Sequence, residues 1–308
     1  MDKDQTALVF PGQGSQKVGM AQSFAKHPAA ASLFEEADDI LRFNLKNLML
    51  AGDEKTLAMT ENTQPALLLA GVAALRVLED EREQPAGEIA AYVAGHSLGE
   101  YTALVAAGVL SFPEALTLVR QRGQAMQAAA PVGAGKMAAV LGLAIDDVQQ
   151  IAEGEGVYIA NDNADGQVVL SGKALNIENA CVAAKEAGAK RAIELPVSAP
   201  FHSPLVAAAA EVMAQAFKPV SFKQPQIAVV SNVRAEPVQE AGAWPDLLTQ
   251  QITAPVRWRE SMIYLAAQGT STLLELGSGK VLTGLAGRCD KRLSATALPT
   301  VDDIKKQI

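Results

Sequence analysis

The run Gly95-His96-Ser97-Leu98-Gly99 has the form Gly-x-Ser-x-Gly, in which small residues on both sides let the chain bend sharply and lift a serine hydroxyl out of a sheet. The apolar segment Ile89-Ala90-Ala91-Tyr92-Val93 before it predicts a buried parallel strand, and Tyr101 to Ala107 after it predicts a helix. Ser97 would then stand at a helix N-terminus, where free N–H groups and the helix dipole favour an oxyanion. A serine there also serves as a plain N-cap; the strand and helix on either side are what favour a nucleophile. Such a serine needs a base near neutral pH, and the chain has 3 histidines. His96 adjoins Ser97, where neighbouring side chains diverge, and His27 is expected at the end of a surface helix, so neither reads as the base. His202 lies on a loop after a strand and after the serine in sequence, the order found in serine hydrolases. No Asp or Glu between the two stands at a convincing strand end, which departs from an ordinary lipase or esterase.

The elements that must position these residues are long enough to do so. The 308 residues can bury a large core, and 49% hydrophobic with only 5% aromatic content suits a helix-rich α/β chain. Lys and Arg total 26 against 34 Asp and Glu, a net charge of -8 with pI near 5.0. No basic patch of the kind that grips nucleic acid stands out, so nucleic acid is not expected as a partner. Cys181 and Cys289 lack metal-type spacing, no metal site is expected, and no apolar run reaches bilayer-spanning length. The start Met1-Asp2-Lys3-Asp4 has neither the charge nor the apolar run of a signal peptide, and a reducing, cytoplasmic setting without a membrane partner is the expectation, as is a monomer.

Thr6 to Phe10 predicts a strand running into the turn Pro11-Gly12-Gln13-Gly14-Ser15-Gln16, with a helix expected from about Val18. The turn could present backbone donors. It lacks the third glycine of a dinucleotide fingerprint and the Gly-Lys-Ser/Thr of a phosphate loop. Helices are expected over Ala29 to Ile40 and from Thr63-Gln64-Pro65 to Leu78, with proline in the first turn and Gln64 open to solvent. Ser111-Phe112-Pro113-Glu114 reads as a capping box opening a helix to about Ala129. Phe112, Leu116, Val119, Gly123 and Met126 mark its inner face, and Arg122 falls roughly 60° from the centre of that face at about 100° per residue. A snorkelling or ion-paired structural arginine is the plain reading of that position.

From Gly133 the order of elements becomes diagnostic. Met137 to Leu143 reads as a strand, Ile145 to Glu153 as a helix, Val157 to Asn161 and Gln167 to Ser171 as strands, Leu175 to Ala187 as a helix and Arg191 to Val197 as a strand. This is the β-α-β-β-α-β order of a ferredoxin-like unit, so residues 131–199 are expected as a subdomain inserted into a core of 1–130 and 200–308. The chain returns through Ser198-Ala199-Pro200-Phe201-His202-Ser203-Pro204, a loop before a helix from Leu205 to Phe217. Ile227 to Ser231 and Thr272 to Leu276 predict further buried strands, and Pro245 to Ile252, Trp258 to Ala267 and Val281 to Cys289 further helices. A cleft between the two units is the natural place for a site.

Several motifs in one order now carry a resemblance over essentially the whole chain: Phe10-Pro11-Gly12-Gln13-Gly14-Ser15-Gln16, Thr63-Gln64-Pro65-Ala66, Gly95-His96-Ser97-Leu98-Gly99-Glu100, Arg120-Gln121-Arg122-Gly123, Ala199-Pro200-Phe201-His202-Ser203 and Gly277-Ser278-Gly279-Lys280-Val281-Leu282. The chain resembles the malonyl-CoA:acyl carrier protein transacylases. The resemblance implies an α/β-hydrolase-like core with a parallel sheet and an inserted ferredoxin-like subdomain. It implies that Ser97 is acylated, that His202 is the general base, and that the main-chain carbonyl of Gln251, with its neighbour Gln250 as the alternative, orients that histidine, which would stand in for the missing carboxylate. Backbone N–H groups of Gln13 and Leu98 would form the oxyanion hole. Arg122 would pair with the malonyl carboxylate through two parallel hydrogen bonds that a lysine cannot reproduce. Gln64 and Met126 would join it in binding substrate, and Phe201 would crowd out an α-methyl group.

The reaction so implied takes malonyl from malonyl-CoA to the phosphopantetheine thiol of acyl carrier protein through a serine ester, with no bound cofactor. Carriers of this pathway are acidic, so a local basic patch is expected to dock them, and Arg288, Lys291 and Arg292 are the candidates; a solvated helix end explains the same cluster equally well. A serine thioesterase or hydrolase of the same fold, or a non-catalytic carrier-binding module, are the alternatives. A buried cation such as Arg122 has little use in a lipase pocket, and a silent module needs no base.

Overall fold

The computed structural model describes residues 2–131, 133–197 and 199–308. Met1, Val132 and Ser198, the last being the first residue of the expected histidine loop, lie outside the described residues. The described strands, in chain order, are β1 (Thr6–Phe10), β2 (Tyr92–Gly95), β3 (Gly135–Leu141), β4 (Tyr158–Ala164), β5 (Gln167–Lys173), β6 (Arg191–Glu194), β7 (Ala228–Val230), β8 (Pro237–Val238), β9 (Thr272–Leu276) and β10 (Ser294–Leu298). They form a six-stranded sheet in the order β10-β9-β1-β2-β7-β8 and a four-stranded sheet in the order β4-β5-β3-β6. All pairs of the larger sheet are parallel except β7 with β8, and all pairs of the smaller one are antiparallel.

β1 lies inside the larger sheet, and its five residues are all buried, which is why Thr6-Ala7-Leu8-Val9-Phe10 is continuously apolar after its first residue rather than alternating. Leu8 and Phe10 face one helical layer, with the long helix Thr60–Arg82, while Ala7 and Val9 face the other, with Trp258 and Leu285. The smaller sheet has its own core, in which Val140, Val168 and Leu170 pack on Val148, Ile177 and Ala180 of the helices Ile145–Glu155 and Ala174–Glu186. Its strand order is that of a ferredoxin-like unit. The smaller sheet is tied by backbone to the segment between the helices Trp244–Gln251 and Trp258–Ala267: Val256 N–H donates to Ala160 O at 2.8 Å and Asp162 N–H to Val256 O at 3.0 Å. Arg259 adds an ion pair to Asp162 at 2.8 Å.

Several expectations shift for physical reasons. The strand expected at Ile89 to Val93 is Tyr92–Gly95, because parallel pairing begins where Tyr92 meets Ala7, and Ala86–Ile89 forms a short helix after Pro85 instead. No helix follows from Val18: Gly19 and Ala21 take φ of 86° and 62°, and Gly19 N–H bonds to Met49 O, so the segment turns until the short 3-10 helix Phe24–Lys26. His27 ends the short 3-10 helix Phe24–Lys26 and also caps the next helix, Pro28–Leu41. The helix expected from Thr63 begins at Thr60, which puts Pro65 inside it. A proline cannot bond the carbonyl four residues back, and that carbonyl, of Glu61, accepts from Arg120 Nη1 at 2.7 Å instead. The helix expected from Leu205 starts as a 3-10 turn, Pro204–Val206, and is α-helical from Ala207. The capping box at Ser111 and Glu114 forms as read. The helices Leu45–Ala51, Glu54–Ala58 and Val301–Lys305 and the strands β8 and β10 went unread, being too short or too polar for a periodic signal.

Candidate active site

At the C-terminal end of β2 the chain turns through His96 and Ser97 into the helix Gly99–Ala106. Ser97 holds φ at 52°, a left-handed conformation that disfavours side chains, so the turn stores strain on the order of 1 kcal/mol. Glycine is required on both sides: a Cβ on Gly95 would meet the Gly99 carbonyl at 1.9 Å, and one on Gly99 would meet Phe10 O at 2.1 Å. Asn232, just beyond β7, braces the bend, with its Oδ1 accepting from Ser97 N–H at 2.7 Å and its Nδ2 donating to Gly95 O at 2.7 Å. Asn232 was not singled out in the sequence. Its only local signal is a polar pair, Ser231-Asn232, directly after an apolar strand.

Ser97 Oγ lies 2.8 Å from His202 Nε2. His202 Nδ1 lies 2.8 Å from the Gln251 carbonyl and 3.2 Å from that of Ala254. Carbonyls only accept, so Nδ1 carries the proton and Nε2 is left as the acceptor for the serine hydroxyl. The Gln250 carbonyl is engaged elsewhere, accepting from Thr253 and Ala254 N–H. His202 itself sits at φ 55°, held by Ser203 Oγ donating to Pro200 O at 2.6 Å.

Arg122 is brought to the same point from the helix Phe112–Ala128 and is only 1% exposed. The adjacent Gly123 allows this: a Cβ there would stand 2.7 Å from Glu61 Cα, so glycine lets the two helices close up and carries Arg122 against Gln64. Arg122 Nη1 donates to Gln64 Oε1 at 2.9 Å, and Nη2 donates to Gln251 Oε1 at 2.8 Å and to Ser97 Oγ at 3.1 Å. Its guanidinium lies 5.7 Å from the centre of the Tyr101 ring, while its buried Nε–H has no partner among the described residues. A guanidinium with neutral acceptors and donor capacity to spare, beside a serine hydroxyl, is arranged to take a carboxylate.

A cavity of about 100 Å³ opens on this cluster, lined from the larger unit by Gln13, Gln64, Ser97, Leu98, Arg122, Met126, Phe201 and His202 and from the smaller one by Met137, Asn161, Leu195 and Val197. Gln64, expected in solvent, is 2% exposed, with its Nε2 at 3.8 Å from Met126 Sδ. Among the described residues the N–H groups of Gln13 and Leu98 donate no hydrogen bond, so both are free to receive an oxyanion. His96 also lines the cavity, and its imidazole is held by Asn163, with Nε2 at 2.7 Å from Asn163 Oδ1, and by its ring packing against Trp258. Arg288, Lys291 and Arg292 are not among the residues lining this cavity. Arg288 is tied to Gln167 Oε1 and Asp165 O, and Arg292 pairs with Asp290 at 2.7 Å.

Burial, reinforced by the Arg122 charge, pushes His202 down to about 3 against the opposing pull of the Gln251 carbonyl. Its folded pKa thus lies below its unfolded value, so the fold loses stability as pH falls below about 6.5, where only the unfolded chain takes up the proton. The same shift keeps the base neutral. Were His202 the base for acylation of Ser97 by acetyl-CoA, which carries no carboxylate, kcat/KM would stay level from pH about 7.5 to about 5.5; an ordinary imidazole would lose about tenfold over that range, and such a loss in the pH profile would contradict an imidazole held neutral. Glu100, absent from the expected site, lies 1% exposed beneath it. Burial pushes its carboxyl up to about 7, against the lowering pull of the Asn232 N–H, Gln251 and Arg122.

The sequence matches the family described as acyl transferase domain over residues 7–292. It is 43% identical over 308 residues to the malonyl CoA-acyl carrier protein transacylase of Bacillus subtilis (strain 168), covering 98% of this chain and 96% of that one. It is 46% identical over 301 residues to the protein of that name from Escherichia coli (strain K12), covering 96% of each. Among solved structures, the acyl-carrier-protein-S-malonyltransferase of Bartonella henselae superposes with a TM-score of 0.95 at 44% identity, covering 98% of both chains. A malonyl-transacylase in complex with a type II PKS acyl-carrier protein superposes with a TM-score of 0.92 at 42% identity, covering 97% of both.

Proposed function

From the premise that this chain belongs to the acyl transferase domain family, we propose that malonyl passes through an ester on Ser97, with His202 as its general base and Arg122 as the clamp on its free carboxylate. The chain is an acyltransferase that moves malonyl from malonyl-CoA to acyl carrier protein in fatty acid synthesis. The observation that carries the residue assignment is the convergence on one hydroxyl: Ser97 Oγ meets both the unprotonated Nε2 of His202 and the guanidinium of Arg122.

In the first half-reaction His202 Nε2 takes the hydroxyl proton as Ser97 Oγ attacks the thioester carbonyl. The carbonyl oxygen becomes an oxyanion facing the N–H groups of Gln13 and Leu98. The imidazolium then protonates the departing CoA thiolate, and the malonyl group is left as a serine ester with its carboxylate on Arg122. In the second half-reaction His202 takes the proton of the carrier's phosphopantetheine thiol, whose sulfur attacks the ester, and the proton returns to Ser97. A main-chain carbonyl orients His202 without adding a negative charge, so the imidazolium is less favoured than beside an Asp. Gln64 holds Arg122, Met126 packs on Gln64, and Phe201 narrows the space an α-methyl would need.

The reading assigns residues 131–199 as the inserted subdomain and 1–130 with 200–308 as the core. It needs no resident metal or redox cofactor and takes the enzyme to be a cytoplasmic monomer without nucleic-acid or membrane partners. Arg288, Lys291 and Arg292 are the proposed docking points for an acidic carrier, with Lys291 contributing most because Asp290 offsets Arg292. The test follows intact mass: malonyl-CoA should add one malonyl group, holo carrier should then remove it, and water alone should remove it slowly. Rapid loss to water would favour the hydrolase reading. Charge reversal at Lys291 should slow only the carrier step, and less so at high salt; an unchanged dependence on carrier concentration would remove the patch from the docking surface.

A further inference from the structure

Asn232 and Gln251 both donate to the carboxylate of Glu100, which the Ser231 hydroxyl also meets. Asn232 N–H donates to Oε1 at 2.8 Å, and Gln251 Nε2 donates to Oε2 at 2.5 Å. Gln251 Nε2 spends its second hydrogen on Ser97 O at 2.9 Å, which leaves Gln251 Oε1 facing Arg122 Nη2 at 2.8 Å. Every polar position of the Gln251 amide is therefore assigned, and the assignment begins at Glu100. In its ionised form the Glu100 carboxylate only accepts, and the Ser97 carbonyl likewise, so together they admit the amide with its NH₂ toward them and its oxygen toward the guanidinium. The reversed amide would set oxygen against oxygen at Glu100 and at Ser97, and NH₂ against the guanidinium.

Resting on the reading of Arg122 given above, we propose that Glu100 is a positioning residue for substrate choice: through the side-chain amide of Gln251 it fixes the guanidinium of Arg122 in the orientation that receives the malonyl carboxylate. Gln251 thus has two separable parts. Its carbonyl serves His202, and its amide serves Arg122. Glu100 touches no reacting atom, and the hydrogen bonds of His202 to Ser97 Oγ and to the Gln251 carbonyl do not involve the amide.

Glu100→Gln breaks this logic at one end. The new amide can keep its oxygen on Asn232 N–H, but its NH₂ then faces the NH₂ of Gln251, and whichever amide turns, one donor meets another. Loading of Ser97 from malonyl-CoA and from acetyl-CoA is to be measured in the parent, Glu100→Gln, Gln251→Met, Arg122→Ala and the double variant Glu100→Gln/Arg122→Ala. Glu100→Gln should lower the malonyl-to-acetyl ratio about 10-fold through a raised KM for malonyl-CoA, the size expected for one misdirected bond to a charged group, while acetyl loading stays near the parent. Gln251→Met keeps the main-chain carbonyl but also loses the bond to Ser97 O, so only its KM is read: a KM for malonyl-CoA raised about 10-fold relative to that for acetyl-CoA supports the relay if Glu100→Gln does not fold. The double variant should show no lower ratio than Arg122→Ala.

A parent-like ratio in Glu100→Gln, or a parent-like KM in Gln251→Met, with a lowered ratio in Arg122→Ala, would overturn the relay and leave the Arg122 assignment standing. Malonyl and acetyl loading falling together in kcat would reduce Glu100 to a brace of the elbow. A further fall in the double variant would mean that Glu100 acts by a route other than Arg122. An unchanged ratio in Arg122→Ala would overturn the carboxylate clamp itself, and the relay with it.

Discussion

Arg122→Ala should collapse malonyl loading while leaving acetyl loading of Ser97 near the parent level or above it. In a cleft where Arg122 is 1% exposed, removing the guanidinium leaves the malonyl carboxylate without a counter-charge. The loss of a desolvated charge pair is roughly 2 to 5 kcal/mol, so the malonyl-to-acetyl ratio should fall by about 30- to 4 × 10³-fold. Acetyl-CoA brings no carboxylate to pair. Losing the Arg122 charge also relieves one cause of the depressed His202 basicity, which helps the base. A purely structural arginine behaves differently: breaking its bonds to Gln64 and Gln251 would slow both substrates together and lower the melting temperature. Both loading rates and a melting curve on the one variant separate the two outcomes, and parallel losses would sink the clamp.

Ser97→Ala should abolish the acyl-enzyme altogether, and His202→Ala should slow its formation about 10²- to 10⁴-fold without abolishing it. The difference follows from the site. No other hydroxyl stands at the elbow, whereas the free N–H groups of Gln13 and Leu98 survive the loss of the imidazole and still stabilise the oxyanion. Intact mass after denaturation is the measurement. A malonyl group retained on Ser97→Ala would assign the nucleophile elsewhere.

Much of this was legible in the chain because it depends on short-range chemistry. Gly95 and Gly99 flank a serine that only a glycine-bounded bend can raise, and the clash distances show why. Ser111 and Glu114 close a capping box four residues long. Patterns 5 to 10 residues long mark Thr272–Leu276, Trp258–Ala267 and Val281–Cys289 at the bounds they take in the structure. Even the order of serine before histidine could be read, since three histidines leave little choice.

What the sequence could not contain is which distant groups converge. Periodicity set Arg122 at the margin of its helix's apolar face, but its burial comes from Gly123 closing on another helix and from acceptors 58 and 129 residues away. Glu100 read as the last letter of a motif, while its partner Asn232 lies 132 residues on. The proton on His202 Nδ1 is set by carbonyls at the end of the helix Trp244–Gln251, 49 residues away for the nearer one. The sequence by itself determined the elbow, its caps and the periodic faces, because glycine sterics and helix geometry act within a turn or two of chain. The tertiary structure alone decided the tautomer, the amide orientation and the charge environment, because a parallel sheet brings together strand ends that the chain keeps far apart.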